Sequence, residues 1–239
     1  MAVIVVGTAV AVAGFVWVRS GSDPGSAARR AWHRLTYATI RPASGDVILP
    51  VAFDPQDHAL SCEVATLKMA LAYRGVVVDE SELIMRVGVD RTPKHIANGS
   101  AVWGNPDRAF VGNIDGRMFV DGYGVYEEPI ARAGEAHRPT HAFRGWSSTQ
   151  LAAQIASGNP VIIWGFLGSG EMHGWRTPDG ITVPAVSYEH TFLVYGFKGR
   201  VDAPEGFYVI DPIYGPEFMT TVDVERRWGS LGNRGVIVY

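Results

Sequence analysis

The sequence predicts an α+β domain with its helices early and its strands late. Three observations carry that expectation. Residues 62–74 place Val64, Leu67, Ala70 and Leu71 on one face at helical spacing, and Gly75 follows as a stop. Three apolar runs of strand length, 161–167, 191–197 and 206–210, all come late. Strands and helices do not alternate as a parallel α/β sheet would require.

In chain order, residues 2–18 carry no charge and are just long enough to span a bilayer. No basic residue precedes them, and Arg19, Arg29, Arg30 and Arg34 follow. We read 1–18 as a membrane anchor or signal segment and 19–46 as a tether with a short helix at 27–37. Residues 47–239 are the folded domain, on the extracytoplasmic side, either membrane-anchored or secreted. Residues 47–51 read as a strand. Asp79 followed by Glu82 has the form of a capping box and opens a helix to about Val87. Residues 90–142 are rich in Gly, Pro and aromatics and fit a lid or substrate loop. Ser147 caps a helix over 150–157, answered by Gln150 and ended by Gly158 and Pro160. A short helix at 222–228 and a strand at 235–239 close the chain.

A hydrophobic share of 47% is ample for one core, and a net charge of −3 excludes the basic stripe that nucleic acid requires. No cysteine pair has metal-ligand spacing, and no phosphate-cradling glycine loop is present. Neither a metal nor a cofactor is therefore expected.

The single cysteine, Cys62, stands where a polar loop turns into the first helix. A helix N-terminus favours thiolate over thiol, and thiolate is the nucleophilic form. A lone cysteine is otherwise a small buried hydrophobe, so its reactivity depends on a base and on a group that orients the base. Of seven histidines, His33 lies in the tether, and His95, His137, His141 and His173 lie in polar loops. His58 precedes the helix with no evident orienter. His190 begins an apolar strand. If 191–197 and 206–210 pair as a hairpin symmetric about Arg200–Val201, His190 faces Asp211 with Cβ atoms about 5 Å apart. An Asp there would fix the imidazole tautomer. Gln56, six residues before the thiol, has an amide able to join the Cys62 N–H in an oxyanion hole.

Gln56-x5-Cys62 followed by Glu63-Val64-Ala65-Thr66-Leu67 resembles the papain-like cysteine peptidases related to bacteriocin-leader (double-glycine) peptidases. The resemblance is closer to their stand-alone, exported bacterial relatives. It continues through Gly104-Asn105-Pro106, Gly122-Tyr123-Gly124-Val125-Tyr126 and Gly158-Asn159-Pro160, and closes with His190 and Val209-Ile210-Asp211-Pro212. It implies a papain-like fold in which the nucleophile helix packs on an antiparallel sheet. It also implies Cys62 as nucleophile, His190 as base and acid, Asp211 as orienter and Gln56 as oxyanion donor, acting on a peptide or protein through a thioester. One departure is Glu63, where the leader peptidases favour glycine. Two other functions use the same residues differently: a transpeptidase passing the acyl group to an amine, and a non-catalytic anchored module binding peptide through 103–126.

Overall fold

The computed structural model describes residues 42–239, and the late strands form its centre. The apolar segment, most of the tether and the expected helix at 27–37 lie outside the described residues. In chain order the elements begin with β1 (Val47–Ile48), α1 (Cys62–Tyr73), α2 (Glu80–Val87), β2 (Val89–Asp90), β3 (His95–Ala97), β4 (Ser100–Val102) and β5 (Phe110–Val111). There follow α3 (Glu127–Glu135), β6 (Thr140–Phe143), α4 (Ser148–Ala156), β7 (Val161–Phe166), β8 (Met172–Arg176) and β9 (Thr182–Val186). The last are β10 (Glu189–Arg200), β11 (Ala203–Asp211), β12 (Gly215–Thr220), α5 (Thr221–Gly229) and β13 (Gly235–Val238).

The main sheet runs β12-β11-β10-β7-β13-β6, with β1 paired to β10. Every pairing in it is antiparallel. Its central strand β7 is buried at all six positions, as expected of a strand covered on both faces. The α+β expectation holds. The helix α1 packs against β10 and β7, with Thr66 Oγ1 3.2 Å from Thr191 Oγ1.

This helix is buried more completely than its apolar stripe suggested. From Cys62 to Leu71 every residue but Lys68 is buried, including Glu63 and Thr66. A helix between a sheet and further helices has no solvent face to advertise. Gly75 does end it, with φ of +80° and its N–H bonded to the Ala72 carbonyl.

Residues 90–142 are more ordered than the sequence implied. They hold β3–β6 and α3, with β2 pairing β5 in parallel and β3-β4-β8-β9 forming a second sheet. Strands of two or three residues are too short for a period to register. Pro129 masks α3, yet it falls in the first turn, where its missing N–H costs little. The β8–β9 hairpin also escaped notice, because β8 is exposed at four of five positions. Ser147 and Gln150 form the expected capping box. Asp79 sits at its N-cap position but makes no side-chain cap bond.

Candidate active site

The loop before α1 is pinned from three directions. Glu80 of α2 accepts from Ser61 Oγ at 2.7 Å and from the Asp57 N–H at 3.1 Å. The Leu60 N–H donates to the Ile114 carbonyl at 2.9 Å. The Gln56 N–H donates to the Pro212 carbonyl at 3.0 Å, which ties this loop to the end of β11. Cys62 is thereby fixed as the first helical residue, facing the start of β10.

His190 and Asp211 meet as expected, though not by the expected register. The hairpin pairs Leu193 with Ile210 and Val194 with Val209, then shifts at irregularities between Val194 and Gly196 and between Lys198 and Gly199. Carried back along the ladder, Asp211 falls opposite Phe192, so His190 reaches it diagonally. His190 Nε2 lies 3.0 Å from Asp211 Oδ1, and both side chains are buried. The same oxygen accepts the N–H groups of Ile213 at 2.7 Å and Tyr214 at 3.1 Å. Asp211 is thus both turn-former and orienter. Burial alone would raise its pKa, but the His190 charge and these hydrogen bonds outweigh that and hold it below its ordinary value.

The thiol differs from expectation. Cys62 Sγ donates to Glu63 Oε2 at 3.3 Å, and its hydrogen bond does not go to His190. Burial raises its pKa well above the usual thiol value, with the charges of Glu63 and Glu189 adding to the effect. The Thr191 backbone and side-chain hydrogen bonds oppose this only in part. The helix terminus therefore does not leave a thiolate in this arrangement; desolvation and two carboxylates outweigh it. Thr191 is nevertheless the residue next to His190, so the thiol and the imidazole belong to one locality.

Gln56 has its amide nitrogen committed to its own loop, donating to the carbonyls of His58 at 2.7 Å and Ala59 at 3.1 Å. Its Oε1 is buried without a partner. His58 is oriented after all, with Nδ1 3.0 Å from Asp115 Oδ1.

Two further residues at the site received no role from the sequence. Glu63 Oε1 accepts the Val125 N–H at 2.7 Å, and burial raises its carboxyl pKa to about 7. Glu189 is buried with neither oxygen partnered, and burial followed by the Glu63 charge pushes it well up. The available signal was an acidic residue directly beside each of Cys62 and His190, in otherwise apolar helix and strand.

A cysteine-led helix packed on an antiparallel sheet, with histidine at the start of one strand and aspartate at the end of the next, is the layout of the papain-like cysteine peptidase fold. The chain belongs to the Peptidase_C39 like family, whose model matches residues 48–236. It is 28% identical to the uncharacterized protein YvpB of Bacillus subtilis (strain 168) over 200 residues, covering 81% of this chain and 74% of that one. A putative C39-like peptidase from Bacillus anthracis is similar in structure, with a TM-score of 0.67 at 27% identity, covering 82% of this chain and 98% of that one. A double glycine motif protease from an AMS/PCAT transporter, solved with its leader peptide, matches at a TM-score of 0.47 and 17% identity over 84% of this chain and 99% of that one.

Proposed function

We propose that this protein is a cysteine peptidase or amide hydrolase, with Cys62 as nucleophile, His190 as general base and acid, and Asp211 as orienter. The observation that carries this is the His190 Nε2–Asp211 Oδ1 bond of 3.0 Å, on a strand against which the Cys62 helix packs. With Nε2 bonded to Asp211, Nδ1 is the nitrogen left for the thiol proton. Reaction requires Cys62 to exchange its Glu63 partner for that nitrogen. The sulfur then attacks a peptide carbonyl, His190 returns the proton to the leaving amine, and water resolves the thioester. Gln56 exchanges its loop carbonyls for the developing oxyanion, beside the N–H of Cys62, which as the first of its helix has no intrahelical partner. The segment 1–18 carries this chemistry to the extracytoplasmic side, membrane-anchored or secreted, where peptides are the substrate.

Labelling tests the reading. A thiol-directed electrophile is expected to modify Cys62 near neutral pH, and His190→Ala to suppress that severalfold. A labelling rate unchanged in His190→Ala sinks it. A transpeptidase would instead reveal itself by product formed on an added amine.

The buried, carboxylate-bonded thiol favours one second reading, a peptide-binding module without chemistry. That reading requires Cys62→Ser to bind peptide as the wild type does and neither protein to cleave it.

A further inference from the structure

We propose that Cys62, Glu63 and Glu189 form a buried site for one borderline divalent cation of the zinc or cobalt type, which holds the sulfur out of reaction. One ligand atom from each residue lies within 4.8 Å of the other two, and all three residues are buried. Two come from α1 and one from β10, elements locked together by the contact between Thr66 and Thr191.

Glu189 is the independent pointer. It is only 3% exposed, it faces this cluster, and both carboxylate oxygens are buried without a hydrogen-bond partner. Buried carboxylates are ordinarily paired or bonded to a metal. The nearby cation that influences it, Arg234, is already bonded to Glu127 at 3.1 Å and lies 3.7 Å over the Tyr126 ring. The fourth wall is bare backbone. A Cβ on Gly124 would lie 2.5 Å from Glu63 Oε1 and 2.7 Å from Glu189 Oε2, so the chain leaves that space to the carboxylates. The Val125 N–H holds Glu63 Oε1 and turns Oε2 towards the sulfur.

One thiolate with two carboxylates is a donor set that zinc accepts and that calcium and magnesium, which want oxygen alone, do not. Tetrahedral zinc sets its ligand atoms roughly 3.3–3.8 Å apart, so these side chains must draw in by about an ångström. On binding, the thiol proton and the protons held by the two raised carboxyls leave to solvent, one metal–sulfur and two metal–oxygen bonds form, and a fourth position remains for water. The sulfur lone pair is then engaged. That regulatory consequence rests on Cys62 being the nucleophile, whereas the site itself does not.

The test uses the full chain, reduced and stripped with chelator, then titrated with Co2+. A thiolate-to-cobalt charge-transfer band is expected in the near ultraviolet, saturating at one equivalent and bleached by Zn2+. Cys62→Ala should abolish it, and Glu189→Gln should weaken cobalt binding at least tenfold. If Glu189→Gln does not fold by circular dichroism, Glu63→Gln takes its place with the same expectation. Absence of the band in protein with one titratable thiol per chain overturns the site, as does undiminished affinity in the folded Glu variants. His190-dependent labelling of metal-free protein is scored separately. A band without such labelling removes the peptidase reading alone, and labelling without a band removes the metal site alone.

Discussion

Cys62 Sγ donates to Glu63 Oε2 at 3.3 Å, so the thiol is held by the side chain next to it in sequence. The Glu63 charge favours the protonated thiol, adding to the larger effect of burial. Removing that charge while keeping the shape should release it. In chelator-treated Glu63→Gln, the pH–rate curve for Cys62 alkylation is expected to move to lower pH, with severalfold faster labelling near pH 8. A curve that stays in place, or moves up, contradicts the assignment of Glu63 as the group restraining the thiol.

His190 carries the complementary prediction. Three donors converge on Asp211 Oδ1, and the imidazole is one of them. The neutral ring should therefore keep its proton on Nε2, a tautomer that 15N NMR distinguishes directly. Asp211→Asn should lose that preference and reduce any peptidase rate by up to about 10⁴-fold, the loss seen when a triad aspartate becomes asparagine. A single unchanged tautomer in the variant would mean that Asp211 does not set it.

How much of this was legible in the sequence depends on the range of the interactions involved. The helix at Cys62, the capping box at Ser147 and the late strands are set by local pattern, and they stand as read. The meeting of His190 with Asp211 was right for an inexact reason. Hairpin symmetry ignores bulges, and two irregularities moved the register while leaving the side chains within reach. The burial of Glu63 and Glu189 was missed because helical and strand patterning treats an acidic residue as solvent-facing. Only the packing of α1 on β10 brings them together in the interior. The apolar residues 2–18 and the tether's Arg34 lie outside the described residues.

Gly124 allows both buried carboxylates to approach the chain. Alanine there would bring its Cβ within 2.5–2.7 Å of oxygens on Glu63 and Glu189. Overpacking of this kind costs about 1–3 kcal/mol. Gly124→Ala should lower the urea midpoint accordingly with an unchanged slope, and Gly122→Ala is no control, since its Cβ would strike the Asn113 carbonyl at 2.2 Å. Unaltered stability would mean that the carboxylates move aside freely.

A second buried charge cluster lies beside the first. Glu127 is 1% exposed, bonds Arg234 at 3.1 Å and also pairs with Arg144, which reaches Asp107 at 2.7 Å. Arg234 itself is stacked on Tyr126. Breaking a buried pair by removing one partner leaves the other charge uncompensated, at a cost of about 3–5 kcal/mol. Glu127→Gln should approach that loss in chemical denaturation, whereas Arg200→Ala, whose pair with Asp202 is exposed, should leave the midpoint essentially unchanged.

Glu217 on β12 sets a pH dependence of the whole fold. Burial, then the neighbouring Asp211 charge, raises its pKa from 4.5 to about 7, against the opposing charges of Arg227 and His190. Between those two values the folded state binds more protons than the unfolded chain, so stability must fall as pH rises. Asp211 does not contribute in this window, because its lowered pKa confines its proton uptake to more acidic solution. Glu63 adds to the same fall, so replacing Glu217 alone removes only part of it. Denaturation midpoints of the wild type should decline from pH 4.5 to 7, and Glu217→Gln should flatten the decline by up to about 2–3 kcal/mol. A Gln variant whose profile parallels the wild type would show that Glu217 ionises with its ordinary pKa.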